Sequence, residues 1–142
     1  MTDEKIQIVF SGSPTMSELS LLTQGISLEA KIKKSQKEII PYAFFLKNAQ
    51  NEIKGGINGC LLYGCLTIDQ LFVDESLREN RFGSTLMQMA HSFGKDNQCR
   101  FATVNTMDWE AKDFYIKLGY VVEFQREGYD NDSVFYFLKK AL

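Results

Sequence analysis

Apolar and polar residues along the chain follow two periods, one typical of strands and one typical of helices. Segments of the first kind alternate apolar and polar positions or form short apolar runs rich in β-branched and aromatic residues, and turn residues separate them. The predicted strands are IQIVF (6–10), IIPYAFFLKN (39–48), IKGGINGCLLYG (53–64), CLTIDQLFV (65–73), RFATVNT (100–106), YVVEFQRE (120–127) and VFYFLKK (134–140).

Three other segments have apolar residues at helical spacing. The first begins at about residue 15, where Thr15 and a later glutamate suit a helix start, and Gly25 is a predicted point of interruption. The second runs from about Arg81 to Lys95. The third is DWEAKDFYIKLG (108–119), with Asp108 as the predicted N-cap and Gly119 as the terminator.

The order of these elements is strand, helix, three strands, helix, strand, helix and two strands. It predicts an α+β fold with a single mixed, mostly antiparallel sheet flanked by helices, because an antiparallel front is followed by at least one βαβ crossover. No linker, repeat or low-complexity segment stands out, and 142 residues suit one compact domain over 1–142.

Composition narrows the function classes. Apolar residues make up 44% of the chain, as in an ordered globular protein. The formal net charge of -2, with no long basic block, argues against general nucleic-acid binding. The N-terminus lacks the apolar core of a signal peptide, and no apolar run is long enough to span a bilayer. A cytoplasmic location without a membrane partner is therefore the default expectation.

The sequence has few cysteine and histidine residues that could support metal or thiol chemistry. Cys60, Cys65 and Cys99 lie in apolar, strand-like settings without paired metal-type spacing, so buried free thiols are predicted. His91 is the single histidine, on the polar side of a helical pattern, where a surface role is expected. Neither a cysteine–histidine nucleophile nor a histidine-rich zinc site is indicated.

The stretch LFVDESLRENRFGSTLMQMA (71–90) passes from a strand through a short turn into a helix, with Gly83 and Ser84 at the junction. Backbone N–H groups at such a junction can hold an anion. A Walker-type phosphate loop requires a Gly-Lys-Ser/Thr string that is absent, and a dinucleotide fingerprint requires three glycines where this junction has one. Neither nucleotide motif is present.

The spacing Arg78, two residues, Arg81, one residue, Gly83 is similar to the acyl-CoA pyrophosphate loop of the GNAT superfamily of N-acetyltransferases. Arg78 and Gly83 match that loop, whereas Arg81 stands where the family has its first glycine. Asp108 stands where the family often has asparagine. Downstream, EAKDFYIKLGY resembles the closing motif of the family, which Ala111, Phe114, Tyr115, Leu118, Gly119 and Tyr120 all match. The order of motifs and strands agrees along nearly the whole chain.

The resemblance implies a GNAT-like sheet with a βαβ acyl-CoA-binding core, and acetyl-CoA as cosubstrate without a metal. Pyrophosphate would lie at the helix N-terminus, where Gly83 lets the backbone approach the phosphates. In the family, the pantetheine arm pairs with the strand before the loop, and a backbone amide there stabilises the oxyanion. The implied cofactor-binding residues are Leu71, Phe72, Val73, Arg78, Arg81, Phe82, Gly83, Ser84, Thr85 and Asp108.

The resemblance also implies two catalytic residues. Alternation along the strand would place residues 67, 69, 71 and 73 on one face. Family members that carry their base on this strand have it at positions matching Thr67 or Asp69, and Asp69 is the ionisable one. A structural aspartate is the alternative. Tyr115 stands where the family keeps its general-acid tyrosine, and a packed core aromatic is the alternative.

The predicted reaction is transfer of an acetyl group from acetyl-CoA to a primary amine of a small-molecule or protein acceptor, by direct attack through a tetrahedral intermediate. The rival hypothesis is a non-catalytic acyl-CoA-binding or interaction protein with the same fold, which Arg81 and Asp108 keep open. A hydroxyl acceptor, giving an O-acetyltransferase, is a third alternative. A homodimer is expected from the family alone. Acceptor contacts are expected from the helical segment near residues 15 to 35, from the hairpin around Tyr42 and Tyr63, and from Trp109 with Glu110.

Overall fold

The computed structural model describes residues 4–142. The chain divides into two compact units, one that ends at Lys37 and one that begins at Glu38 and ends at Leu142. The expectation of one domain over 1–142 stays a prediction.

The first unit contains one helix, α1 (Met16–Lys34), which starts with a capping box. The Thr15 hydroxyl accepts a hydrogen bond from the Glu18 amide at 3.1 Å, and the Glu18 carboxylate accepts one from the Thr15 amide at 2.8 Å. The predicted interruption at Gly25 is wrong, because the helix continues through that residue. One glycine costs a helix only about 1 kcal/mol relative to alanine, so its neighbours outweigh it.

The strand predicted over residues 6–10 is also wrong. Within the described part of the first unit this segment has no strand, and Ile8 and Phe10 are exposed. A strand needs a neighbour that takes its backbone hydrogen bonds. The rest of the described residues in this unit are helical or irregular, so they supply no such neighbour.

The second unit is built on a seven-stranded sheet with the order β1-β2-β3-β5-β7-β6, and β4 pairs with β2. The pair β3–β5 is parallel and the other pairs are antiparallel, which confirms the predicted mixed sheet. The strands are β1 (Ile40–Lys47), β2 (Ile53–Leu62), β3 (Cys65–Ile68), β4 (Gln70–Val73), β5 (Phe101–Met107), β6 (Val121–Tyr129) and β7 (Ser133–Ala141).

Two helices connect the later strands, α2 (Phe82–Asp96) and α3 (Lys112–Lys117), and short 3₁₀ turns cover Glu75–Leu77 and Asp130–Asp132. The first of these helices matches its prediction within one residue. The second begins later than predicted, with Ala111 at its N-cap, so the prediction of Asp108 as N-cap is wrong. Among the helices of residues 4–142, none is long and apolar enough to cross a membrane.

The core of the second unit lies between the sheet and the helices α2 and α3. The three cysteines are free, and Cys65 and Cys99 are buried, as predicted, while Cys60 is half-buried. Apolar burial of this kind contributes roughly 25 cal/mol per Å² and is the main source of stability. The core side chains include Leu66, Ile68, Ala102, Val104 and Leu138 from the strands, and Leu86, Met87, Ala90 and Tyr115 from the helices.

The segment CLTIDQLFV, predicted as one strand, is divided into β3 and β4 by a β-bulge. Between the pairs Leu61–Leu66 and Asn58–Gln70, β2 has two residues while the facing chain has three, and we call this the Thr67–Asp69 bulge. A bulge shifts the alternation by one residue. Ile68 is in the core, and the partly buried side chains of Leu71 and Val73 pack against the same core. The prediction that residues 67, 69, 71 and 73 share a face is therefore wrong.

Candidate active site

The bulge makes two neighbouring strands diverge. Parallel pairing between β3 and β5 ends at Ile68 and Val104, and in the described chain β4 continues alongside β2 alone. The gap between β4 and β5 is a cavity of about 770 Å³, which we call the cleft. It is lined by Ile68, Asp69, Gln70, Leu71, Phe72, Val73, Arg78, Val104, Asn105, Thr106, Trp109, Glu110, Ala111, Phe114 and Tyr115.

Both predicted catalytic residues line the cleft. Asp69 is an exposed residue at the end of the bulge, and its amide donates a hydrogen bond to the Asn58 carbonyl at 2.8 Å. Tyr115 enters from α3. The predicted cofactor segment Leu71–Val73 lines the same cavity along β4. The fold thus gathers residues that are more than 40 positions apart in sequence.

Tyr115 is buried, with 6% of its surface exposed, and its ring packs against Phe114 and Tyr120 at centroid distances of 5.2 and 5.8 Å. Burial raises the pKa of Tyr115 to about 12, and the nearby charge of Glu110 acts in the same direction. The phenol therefore keeps its proton at neutral pH. Core packing and the ability to donate a proton are both present in this side chain.

A second cavity, of about 310 Å³, lies at the start of α2, and we call it the loop pocket. It shares Val73, Arg78 and Phe114 with the cleft. The Arg78 Nε donates a hydrogen bond to the Val73 carbonyl at 3.1 Å, which keeps this side chain at the junction of the two cavities. The other lining residues are Leu77, Glu79, Arg81, Phe82, Gly83 and Ser84.

The amides at the start of α2 divide into free and bonded groups. The Thr85 amide already donates to the Arg81 carbonyl at 3.1 Å, and the Thr85 hydroxyl donates to the same oxygen at 3.1 Å. Thr85 also lies outside the lining of the loop pocket. The Thr85 amide is therefore not free, and the predicted contact of Thr85 with the cofactor stays a prediction. The amides of Phe82, Gly83 and Ser84 precede the first helical hydrogen bond and stay available to an anion.

Arg81 is the N-cap of α2 and has a left-handed backbone, with φ 60° and ψ 22°. Glycine adopts this conformation without a steric penalty, whereas other residues pay roughly 1–2 kcal/mol. The backbone conformation accounts for the glycine that the resembled motif has at this position. In this chain an arginine adopts the same conformation at some cost in strain.

Asp108 lies outside the lining of both the cleft and the loop pocket. Its amide donates to the Val134 carbonyl at 2.9 Å, which ties the end of β5 to β7. Its predicted contact with the cofactor stays a prediction that rests on its place in the motif.

Sequence reasoning missed the turn between β5 and α3. Thr106 is 3% exposed, and its hydroxyl accepts a hydrogen bond from the Ala111 amide at 3.2 Å. The Glu110 carboxylate accepts one from the Met107 amide at 2.8 Å. These bonds hold the turn that presents Trp109, which is 68% exposed, at the cleft. The sequence signal for this turn was the polar pair Asn105 and Thr106 at the end of RFATVNT. The carboxyl end of a parallel strand is where functional side chains often lie.

Only some of the residues predicted to contact the acceptor line the cleft. Trp109 and Glu110 line the cleft, but Tyr42 and Tyr63 do not. Tyr42 is buried, and its hydroxyl donates a hydrogen bond to the Thr67 carbonyl at 2.7 Å. Within residues 4–142, no three His, Cys, Asp or Glu side chains are grouped as metal ligands.

Known proteins have the same architecture. The family model of the acetyltransferase (GNAT) domain matches residues 23–142. Blasticidin-S acetyltransferase from Streptomyces morookaense is 31% identical over 80 residues, which are 56% of this chain and 59% of that protein. This chain therefore spans a little over half the length of that relative.

Two crystal structures extend the comparison. One, assigned to an acetyltransferase from Agrobacterium tumefaciens, superposes with a TM-score of 0.81 at 19% identity, over 96% of this chain and 100% of that one. The other, assigned to a streptothricin acetyltransferase from Bacillus anthracis in complex with acetyl coenzyme A, has a TM-score of 0.64 at 20% identity. It covers 72% of this chain and 63% of that one. Because the family model matches most of the chain, this protein belongs to the GNAT acetyltransferase family.

Proposed function

We propose that this protein transfers an acetyl group from acetyl-CoA to a primary amine of an acceptor, by direct attack through a tetrahedral intermediate. The observation that carries the proposal is the cleft, which brings the divergent edge of β4, Asp69 and Tyr115 into one cavity. The cleft continues through Val73, Arg78 and Phe114 into the loop pocket at the start of α2. The complex of the Bacillus anthracis neighbour with acetyl coenzyme A supports the choice of cofactor.

In this proposal the loop pocket binds the pyrophosphate. The amides of Phe82, Gly83 and Ser84 donate to phosphate oxygens, and the dipole of α2 adds a favourable field. Arg78 and Arg81 add positive charge at the same place. Gly83 leaves room for the backbone to approach the phosphates.

The pantetheine arm would run along the free edge of β4. Leu71, Phe72 and Val73 line the cleft, and among the strands of residues 38–142 β4 pairs with β2 alone, so its other edge faces the cleft. On that edge the Val73 carbonyl already accepts a hydrogen bond from Arg78 Nε. An extended arm on this edge gains main-chain hydrogen bonds as an added strand does. One of these amides would donate to the oxyanion of the intermediate, and a fixed backbone donor needs no reorganisation.

The chemical step needs a neutral amine and a protonated leaving group. Asp69 would accept the amine proton, directly or through water, as the nitrogen bonds to the carbonyl carbon. The carbon–sulfur bond of the intermediate then breaks, and Tyr115 would donate its proton to the departing thiolate. Burial keeps the pKa of Tyr115 at about 12, so the proton is present when it is required.

The acceptor would enter at the end of the cleft opposite the loop pocket. The carboxylates Asp69 and Glu110 line the cleft, whereas Arg78 lies at the junction of the cleft with the loop pocket. This charge distribution favours an anionic cofactor at one end and a cationic acceptor at the other. The exposed ring of Trp109 offers a face for a cation or for an apolar part of the acceptor.

The direct test is turnover with a panel of amines. Purified protein is mixed with acetyl-CoA and with small amines, basic antibiotics and peptide N-termini, and release of free thiol is followed. Acceptor-dependent release with a matching acetylated nitrogen supports the proposal. Acetylation of a hydroxyl instead would make the protein an O-acetyltransferase.

The same experiment separates the rival function. Calorimetry with acetyl-CoA is run beside the assay, because a non-catalytic acyl-CoA-binding protein gives binding without turnover across the whole panel. Absence of both binding and turnover in a folded protein would overturn both functions.

A further inference from the structure

The Thr67–Asp69 bulge is closed by two hydrogen bonds that a regular ladder does not contain. The Cys60 amide donates to the Thr67 hydroxyl at 2.8 Å, where a strand would normally offer a carbonyl. The Thr67 carbonyl accepts a hydrogen bond from the Tyr42 hydroxyl at 2.7 Å. Both the side chain and the backbone of Thr67 are therefore engaged by groups that belong to other strands.

Tyr42 reaches Thr67 across an intervening strand. Tyr42 lies on β1 and pairs with Gly59 on β2, and Thr67 lies beyond it on β3. A Cβ atom at Gly59 would lie 1.9 Å from the Thr67 carbonyl oxygen and 3.0 Å from the Tyr42 hydroxyl oxygen. The first distance is far inside a normal contact, so the hydrogen bond and the bulge both require glycine at this position.

We infer that Tyr42, Gly59 and Thr67 are positioning residues that hold the bulge, and through it the divergence of β4 from β5. The bulge is where alternation shifts, where Asp69 leaves the ladder with β5, and where β4 begins. A bulge that relaxed would rotate β4 by one residue and turn Leu71 and Val73 away from the core. The catalytic part of this inference rests on the proposed acetyl transfer, whereas the structural part does not.

Tyr42 suits a fixed structural bond better than a titrating role. Its ring is held by Phe44 and Phe93, at centroid distances of 6.2 and 5.3 Å. Burial raises the pKa of Tyr42 far above its usual value of 10.0, and the charge of Asp69 adds to the effect. The hydroxyl thus stays a neutral donor over any working pH, and it does not line the cleft.

The first experiment compares Tyr42→Phe with Tyr120→Phe. Each change removes one hydroxyl from a buried ring and one hydrogen bond of 2.7 Å, but the Tyr120 bond is made with His91, away from the bulge. We expect Tyr42→Phe to weaken acetyl-CoA binding about three- to tenfold, the usual effect of one lost hydrogen bond. Turnover should fall as well, with the shape of its pH profile unchanged. Tyr120→Phe should keep the parent affinity.

The second experiment uses the Thr67 side chain. Thr67→Val keeps the shape of the residue and removes the oxygen that accepts from Cys60, whereas Thr67→Ser keeps that oxygen. We expect the valine variant to lose affinity and turnover in the same way as Tyr42→Phe, and the serine variant to retain most of both. Equal behaviour of the two variants would contradict a role for the hydroxyl.

Amide hydrogen exchange tests the bulge without cofactor. The amides of Cys60 and Asp69 donate their hydrogen bonds within or beside the bulge. Tyr42→Phe should speed their exchange while leaving the amides of β7 close to the parent, whether or not the protein acetylates anything. A folded Tyr42→Phe protein with parental exchange at both amides, or with parental affinity and turnover in an active enzyme, overturns the inference.

Discussion

Tyr115 is packed in the core and still lines the cleft, so its ring and its hydroxyl can be tested separately. Tyr115→Phe keeps the ring contacts with Phe114 and Tyr120 and removes the proton. Loss of a positioned general acid typically lowers the rate by about 10² to 10⁴, and we expect turnover to fall within that range. The thermal shift produced by acetyl-CoA should change little, because the loop pocket is untouched.

Tyr120→Phe is the matched control for this prediction, since it removes a hydroxyl from a neighbouring buried ring outside the cleft. Near-parental turnover of Tyr115→Phe, under conditions where chemistry limits the rate, would make Tyr115 a core residue only.

Asp69 is an exposed carboxylate in the cleft, and the base hypothesis predicts a pH-dependent defect for its amide variant. In Asp69→Asn, turnover should fall most at low pH, where the acceptor amine is mostly protonated and help with its deprotonation matters most. Acetyl-CoA binding, followed by calorimetry, should stay close to the parent. A pH profile that overlays the parental profile assigns the base to water or to another group.

Arg81 combines a strained backbone with a charged side chain, and two substitutions separate these features. Arg81→Gly removes both, and Arg81→Ala removes only the guanidinium. We expect the glycine variant to differ from the parent by about 1 kcal/mol or less in the free energy of unfolding, because relief of strain offsets added freedom in the unfolded chain. Acetyl-CoA affinity should stay within about tenfold of the parent for both, because Arg81 is an exposed charge that solvent screens. Complete loss of binding in both would show that the guanidinium holds the phosphates.

At the scale of elements, the start of α2 is the part that decides cofactor binding. A Cβ atom at Gly83 would lie 3.6 Å from the Phe114 ring, an ordinary contact, so the fold has room for a side chain there. Gly83→Val should therefore fold but abolish the thermal shift produced by acetyl-CoA, since its branched side chain would occupy the space where phosphate approaches the backbone. The readout is thermal denaturation with and without cofactor.

Gly83→Ala serves as the graded control and should retain part of the shift. A full shift in a folded Gly83→Val protein would place the pyrophosphate away from the loop pocket.

Element boundaries also separate what local patterns predict from what pairing decides. The prediction for α2 is confirmed, since its apolar spacing and its burial agree, and Leu86, Met87 and Ala90 face the core. The predicted continuous strand over residues 65–73 is wrong. Every residue in this segment suits a strand, so the local sequence contains no sign of a break. The division into β3 and β4 arises from pairing with β2, where the two residues Gly59 and Cys60 lie opposite the three residues 67–69.

At the scale of the whole molecule, His91 makes stability depend on pH. It is half-buried rather than on the surface as predicted, and its Nε2 atom lies 2.7 Å from the Tyr120 hydroxyl oxygen. Burial lowers the pKa of His91 from 6.5 to about 4, and Lys140 and Lys95 act in the same direction. Because the folded-state pKa is the lower one, this contribution is present above pH 6.5 and is lost as the pH falls towards 4.

We therefore expect the parent to lose roughly 1–2 kcal/mol of unfolding free energy relative to His91→Gln between pH 7 and pH 4.5, a range already reduced for partial exposure. Urea denaturation at a series of pH values measures this difference. Parallel pH dependence in the two proteins would show that His91 does not titrate differently on folding.

Part of the candidate site could be predicted from the sequence, because several of its residues belong to short local motifs. A strand, a turn with Gly83 and a helix form a junction whose free amides follow from helix geometry alone. Tyr115 is found through the FYIKLGY segment. Thr106 was not assigned in advance, because its role depends on a hydrogen bond that exists only after β5 and α3 are in place.

The sequence by itself determined the mixed sheet, the position of α2 and the family of the protein, because hydrophobic period, glycine positions and motif spacing are local properties. Tertiary structure alone decided the bulge, the divergence of β4 from β5 and the reach of Tyr42 to Thr67. Pairing register depends on the neighbouring strand, and a one-residue shift changes which side chains face the core. The cleft exists for that reason, and no single segment of the chain encodes it.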